Sequence, residues 1–301
     1  MVRFLHLINF FFSGADRLPT IPHAVHLSAP AKINLRLQIH GRRADGFHEI
    51  ETAIVPISLE DEIVVEISSH GGVTIVCDEP GVPADQSNLA AMAAEEFSRH
   101  TGLQFGARIE IQKRIPIGAG LGGGSSDAAA VLLALDAILD TRLGSETLER
   151  LAAKIGSDVP FFIRRLPAIC RGRGEIIEPF NVPEPLKMLL IKPPFSVETS
   201  WAYKAWATSR SVEREVEAEQ DLSWIKLFNS LERPVFEKFF VLPVIKGWLR
   251  NQPEVRAAAM SGSGSTLFAL LHHQASGSDL AARAKAMFGE AFWIVLCDAC
   301  R

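Results

Sequence analysis

Between Pro116 and Ser126 the chain reads Pro-Ile-Gly-Ala-Gly-Leu-Gly-Gly-Gly-Ser-Ser, with five glycines (Gly118, Gly120, Gly122, Gly123, Gly124) inside seven residues. A run of helix formers, 128–135, follows. Glycine lets backbone approach a ligand with no Cβ in the way, and a helix start offers unpaired N–H groups at the positive end of its dipole. The chemistry is anion binding, and phosphate is the natural anion. A flexible linker would need neither Pro116 at the entry nor a helix behind it that is apolar on nearly every face. The loop also lacks the Gly-Lys-Ser/Thr ending of a Walker loop and the spacing of a dinucleotide fingerprint, so it binds phosphate in another way.

Three other places carry reactive side chains. Lys32 and Asn34 stand two apart in 31–39, where Ile33, Leu35, Leu37 and Ile39 take the alternate positions. On a strand both point to one face and can reach one ligand, although a solvated sheet face reads the same way. Phe47 and His48 follow the turn residues Asp45-Gly46 and set an aromatic face beside a hydrogen-bonding ring, a pairing that can hold a base or sugar or can simply pack. Asp158, in Gly156-Ser-Asp-Val-Pro, precedes the apolar run 159–163, which should bury it in part; a lone turn aspartate is most often a helix cap.

The chain that must position these groups has 301 residues, 48% hydrophobic and 22% charged, enough for one large or two medium domains with a sizeable core. A net charge of −4 argues against general binding to nucleic acid or a membrane surface, and favours a small substrate. Four cysteines in this length make no disulfide framework, which fits a reducing cytoplasm; Cys297 and Cys300 form a C-x-x-C with no second pair for zinc. The apolar run 4–12 is too short to span a bilayer, and residues 1–25 read as an N-terminal extension.

Periodicity and punctuation predict strands at 31–39, 49–57, 62–67 and 109–111, and helices at 88–100 and 145–155 around the loop helix. A hairpin at 168–179 closes a first domain, 26–182, and the Pro-rich stretch 181–185 opens a second, 183–301. There a strand at 186–191 leads to a helix at 198–207 holding Tyr203, the only tyrosine. A charge run at 211–221, a helix at 234–250 and a strand at 255–260 follow. The second glycine turn, Ser261-Gly-Ser-Gly-Ser265, precedes a strand at 266–271, a helix at 280–288 and a last strand at 292–296. The class is α+β in two parts.

Three of these stretches, Pro30-Ala-Lys-Ile-Asn-Leu, Pro116 to Ala129 and Ser261-Gly-Ser-Gly-Ser-Thr, resemble in order and spacing the three motifs of the GHMP kinases (galactokinase, homoserine, mevalonate and phosphomevalonate kinases). The resemblance runs over nearly the whole chain from Ser28. Arg43-Ala-Asp-Gly-Phe-His-Glu and Gly156-Ser-Asp-Val-Pro-Phe-Phe look like one branch, whose alcohol substrate carries cytidine diphosphate and which serves the non-mevalonate isoprenoid route. Two departures stand out: Phe47 where tyrosine is frequent, and Phe228-Asn-Ser-Leu-Glu where Asn-Asp-Leu-Glu is usual.

The resemblance implies a ribosomal-protein-S5-like N-terminal domain and a ferredoxin-like C-terminal domain, and an ATP-dependent small-molecule kinase. It puts ATP on Pro116, Ile117, Gly118, Ala119, Gly120, Leu121, Gly122, Gly123, Gly124, Ser125 and Ser126, with Asn88, Leu89 and Lys113 nearby. It makes Lys32 and Asp158 the catalytic pair and assigns the cytidine group to Phe47, His48 and Tyr203, with Asn34 beside them. Asp158 would take the hydroxyl proton, while Lys32 would keep it ionised and neutralise the moving phosphoryl group. Mg²⁺ would arrive with ATP near Ser125 or Ser126; no protein metal site is expected. The other expectations are a monomer or weak homodimer in the cytoplasm, with no nucleic acid and no membrane as partner. The rival readings are a homoserine- or mevalonate-type kinase and an RNA-binding protein of the same fold.

Overall fold

The computed structural model describes residues 24–68, 71–209 and 220–299. The N-terminal run to residue 23, most of the charge run after residue 209 and Cys300 lie outside these residues. Two long strands, β1 (Ala24–Arg42) and β2 (His48–Ser68), open the fold. β2 is continuous where sequence punctuation suggested two strands. The acidic stretch that reads as a break, Glu60-Asp61-Glu62, stays in the strand because Asp61 is fully buried against partners: its Oδ1 accepts from the Arg114 backbone N–H at 2.6 Å. The chain forms two compact units, and their boundary falls inside both strands, at Pro30/Ala31 and Leu59/Glu60.

The first unit comprises described residues 24–30 with Glu60–Arg114 and Gly123–Arg165. It contains β3 (Gly72–Cys77), α1 (Leu89–Thr101), β4 (Gly106–Gln112), α2 (Gly123–Ile138), α3 (Ser145–Ile155) and α4 (Val159–Arg164). β4 pairs antiparallel with the end of β2 and parallel with β3. Asn88 starts α1 by accepting from the Ala90 N–H at 2.9 Å, and Gly102, at φ 73°, ends it in the left-handed conformation. α2 packs against α1, α3 and α4 and buries Ser126 to Leu132 without a break, which is why its sequence shows no polar stripe. The apolar run after Asp158 forms the short α4.

The second unit comprises Ala31–Leu59, Ile115–Gly122 and the chain from Leu166. In order it holds β5 (Ala168–Gly172), β6 (Ile176–Pro179), β7 (Lys187–Lys192), α5 (Thr199–Thr208), β8 (Gln220–Asp221), β9 (Lys226–Asn229), α6 (Glu232–Lys238), α7 (Val241–Arg250), β10 (Val255–Met260), β11 (Leu267–Leu271), α8 (Gly277–Phe288) and β12 (Trp293–Asp298). β5 pairs antiparallel with β2, and β9 runs parallel to β1. A four-stranded antiparallel sheet has the order β10-β11-β7-β12. Its two faces feed different cores: Leu189, Ile191, Leu267 and Ala269 enter one, while Met188, Leu190, Phe268 and Leu270 enter the other. A sheet covered on both faces reads as continuous apolar runs instead of alternation.

The single helix expected at 234–250 is two. Pro243 has no N–H, and its ring would meet the carbonyl four residues back, at Phe239. Phe239 accordingly leaves the helical region, at φ −113° and ψ 75°, and α7 restarts with Pro243 in its first turn.

Candidate active site

In the second unit the two glycine turns are docked on each other. Ile115, Ala119 and Leu121 are core residues that anchor the first loop from below. The Thr266 N–H donates to Ala119 O at 3.2 Å, and Ser261 Oγ donates to Gly120 O at 3.0 Å. Gly120, at φ 74°, must be glycine for this reason: a Cβ there would lie 2.2 Å from Ser261 O. Gly118 is pressed in the same way against Ser196, whose hydroxyl donates to Ile117 O at 3.1 Å. Asn229 and Glu232 hold the second turn. The Asn229 amide donates to Met260 O and Gly262 O at 2.7 and 2.8 Å, and Glu232 Oε1 accepts from the Met260 N–H while Oε2 accepts from Lys246. Glu232 is therefore a structural anchor, while the position where the resembling stretch usually has aspartate is Ser230.

Lys32 and Asn34 lie under this pair of turns. They are 4% and 5% exposed, so the solvated-face reading fails for both. The Lys32 N–H donates to Leu121 O at 2.9 Å, and its ammonium donates to Asn34 Oδ1 at 2.6 Å. Asn34 is aimed in turn by Thr52, whose hydroxyl accepts from Asn34 Nδ2 at 2.8 Å and donates to Arg36 O at 2.6 Å. A Cβ on Gly262 would stand 3.2 Å from the Lys32 nitrogen, so that glycine keeps the ammonium's surroundings clear.

Also in the second unit, the His48 ring lies 5.2 Å from Tyr203, tilted 35°, and 5.7 Å from Trp206, edge-on at 87°. Its Nε2 is buried with no hydrogen-bond partner. Burial, with Arg42 nearby, holds the imidazole pKa below its ordinary value, so the ring is neutral at pH 7, with one nitrogen donating and the other accepting. Phe47 is 48% exposed, and the Arg173 guanidinium sits over its ring at 4.6 Å. Tyr203 thus has a ring contact with His48. Sequence reasoning missed Trp206 and Arg173. Trp206 was legible as the i+3 neighbour of Tyr203 on a helix face; Arg173 occupies a hairpin tip, where sequence marks a turn and not a partner.

In the first unit α2 opens at Gly123, and a Cβ on Gly124 would meet Leu89 Cδ1 at an ordinary 3.7 Å. Ser126 Oγ, in the next turn, is buried without a hydrogen-bond partner. The Asn88 amide is fully engaged in capping: Oδ1 takes the Ala90 N–H, and Nδ2 donates to Pro83 O at 2.7 Å. Lys113 is 6% exposed and held by carboxylates, Asp61 Oδ2 at 2.5 Å and Asp127 Oδ2 at 2.8 Å. Asp158 occupies the residue before α4, yet its side chain makes no capping hydrogen bond, so the cap reading does not account for it. Among the described residues no cluster of His, Cys, Asp and Glu could hold a metal, and no helix is long and apolar enough to cross a membrane.

The GHMP kinases N-terminal domain family matches residues 88–165, and the GHMP kinases C-terminal family matches residues 210–290. A 4-diphosphocytidyl-2-C-methyl-D-erythritol kinase of Methylacidiphilum infernorum is 46% identical over 274 residues, covering 89% of this chain and 94% of the relative. Among solved structures, a 4-(cytidine 5'-diphospho)-2C-methyl-D-erythritol kinase superposes with a TM-score of 0.72 at 36% identity, over 92% of this chain and all of that one. A homoserine kinase from Cytophaga hutchinsonii superposes at 0.63 with 17% identity, covering 97% of each chain, a likeness of fold.

Proposed function

The chain belongs to the GHMP kinases, in the family of 4-diphosphocytidyl-2-C-methyl-D-erythritol kinases, and from that premise we propose that it moves a phosphoryl group from ATP to the 2-hydroxyl of 4-diphosphocytidyl-2-C-methyl-D-erythritol. The observation that carries this reading is the neutral His48, its buried Nε2 without a partner, against Tyr203 and Trp206. A ring flanked by aromatic side chains, with one edge still to be satisfied, suits the hydrogen-bonding edge of a pyrimidine. A homoserine or mevalonate substrate has no such group to offer.

Phosphoryl transfer to an alcohol breaks the bond to the leaving ADP oxygen, makes one to the substrate oxygen and releases the hydroxyl proton. We assign that proton to Asp158, whose side chain is not spent on capping. Lys32, oriented by Asn34, neutralises charge on the moving group. The 116–126 loop, with Asn88 and Leu89, receives ATP. Mg²⁺ would arrive with the ATP phosphates, where the hydroxyl of Ser125 or Ser126 would help hold it and the ion would neutralise phosphate charge. The division into domains 26–182 and 183–301, with an extension before them, is supported by the family matches falling on either side of residue 182. A cytoplasmic monomer or weak homodimer completes the reading. The test is kcat/KM for the cytidine substrate and its uridine counterpart in wild type, Phe47→Ala, His48→Ala and Tyr203→Ala. His48→Ala should narrow the gap between the two bases, and the aromatic losses should weaken both by roughly five- to 150-fold, equivalent to about 1–3 kcal/mol of stacking. An unchanged preference in His48→Ala would remove it from base recognition.

A further inference from the structure

The resemblance made Lys113 a neighbour of the nucleotide, but its ammonium is already spoken for. It is 6% exposed, within 2.5 Å of Asp61 on β2 and 2.8 Å of Asp127 in the second turn of α2. Its backbone N–H is fixed as well, donating to Asp78 Oδ1 at 2.8 Å, and the next N–H, of Arg114, donates to Asp61 Oδ1. On the other side of the cluster, Asp127 Oδ1 is buried without a hydrogen-bond partner, so Asp127 is held through Oδ2 alone. A three-donor ammonium that bridges two buried carboxylates from different elements fixes their spacing.

We propose that Lys113 is a positioning residue that acts through Asp127: by clamping that carboxylate to itself and to Asp61 it locks the opening turns of α2 onto the interior of β2 and the end of β4, and so sets where the phosphate-receiving amides stand. This rests on the reading of the 116–126 loop as the ATP site. The elements packed around Asp127 supply the groups that govern its charge. Burial acts first, raising its pKa to about 7; Lys113 opposes that and Asp61 adds to it. Cys77 at the end of β3 and Asp78 after it act on the same cluster. On α1, Glu96 is committed to Arg99 and Lys154. For Lys113, burial lowers the pKa, but the two carboxylates outweigh it and leave the ammonium above the ordinary lysine value.

The clamp differs from a direct nucleotide contact in what its partners do. If Lys113 touched ATP itself, neutralising Asp61 would release the ammonium and leave ATP affinity unchanged or tighter. As a clamp, Asp61→Asn should mimic Lys113→Met: each should raise the KM for ATP about tenfold, with the KM for the cytidine substrate within about twofold of wild type. The double variant should be no worse than either single, because both remove one device. The triple variant Lys113→Met/Asp61→Asn/Asp127→Asn buries no unpaired charge and should show the same rise in the KM for ATP, so it guards against a variant that fails to fold. The KM for ATP should also rise in wild type as the pH is lowered through about 7, where Asp127 takes a proton, and stay flat in Asp127→Asn. Calorimetry of ATP binding to Gly122→Val runs alongside. Normal binding there overturns the loop reading; lost binding there, with additive Lys113→Met and Asp61→Asn effects or an unchanged KM for ATP in Lys113→Met, overturns the clamp alone.

Discussion

At the scale of single residues, the proposed chemistry rests on Asp158. Asp158→Asn keeps the shape but cannot take a proton at neutral pH, so turnover should fall by ~10²–10⁴ while ATP binding persists. Single-turnover ADP release with calorimetry of ATP binding checks it, and near-normal turnover would take Asp158 out of the base role. Asp127 makes a separate, thermodynamic prediction. Its folded-state pKa of about 7 lies above the ~3.9 of an unfolded aspartate, so its contribution to stability is full below pH ~3.9 and is lost as the pH rises to about 7. Urea unfolding at about pH 5 and pH 8 should therefore show wild type losing stability relative to Asp127→Asn on going up; a difference that does not change with pH would contradict the raised pKa. At this scale the sequence offered candidate side chains more readily than what they touch. Lys32, Asn34, His48 and Asp158 could be picked out by type and spacing. That Lys113 would be consumed by Asp61, 52 residues before it, could not, because long-range partners leave no local trace.

The elements explain why two glycine stretches so far apart belong together. Gly120 is required by packing, since a Cβ there would run into Ser261 O, whereas Gly124 is exposed and would meet only Leu89 at an ordinary distance. Gly120→Ala should therefore lower both the melting temperature and ATP affinity, while Gly124→Ala should spare the melting temperature and weaken ATP alone. Equal thermal losses in the two variants would contradict this division of roles. Glu232→Ala removes the carboxylate that accepts from buried Lys246 and the acceptor of the Met260 N–H, and should cost roughly 3–5 kcal/mol in urea unfolding. Helix α1 was legible because its Asn88 cap and its periodicity agree, and α3 from its periodicity, since Gly144 precedes it with no side-chain cap. The break between α6 and α7 was signalled by Pro243 but hidden by the apolar residues on either side of it. The continuity of β2 was masked by Glu60-Asp61-Glu62, whose buried member, Asp61, is held by Lys113 and the Arg114 N–H from far along the chain.

For the whole molecule, the fold and the kinase class follow from motifs spread along the chain, matched by family likeness over residues 88–165 and 210–290. Fold likeness extends to a homoserine kinase at 17% identity, so architecture does not choose the alcohol. In our proposal the choice falls on Phe47, His48 and Tyr203, and the direct measurement is ADP release from Mg²⁺-ATP by the wild-type chain with 4-diphosphocytidyl-2-C-methyl-D-erythritol, its uridine counterpart, homoserine and mevalonate in parallel. The account predicts turnover with the cytidine substrate, weaker turnover with the uridine one, and none above background with the two bare alcohols. Turnover of homoserine or mevalonate equal to that of the cytidine substrate would contradict it, as would RNA binding with no ATP turnover on any alcohol.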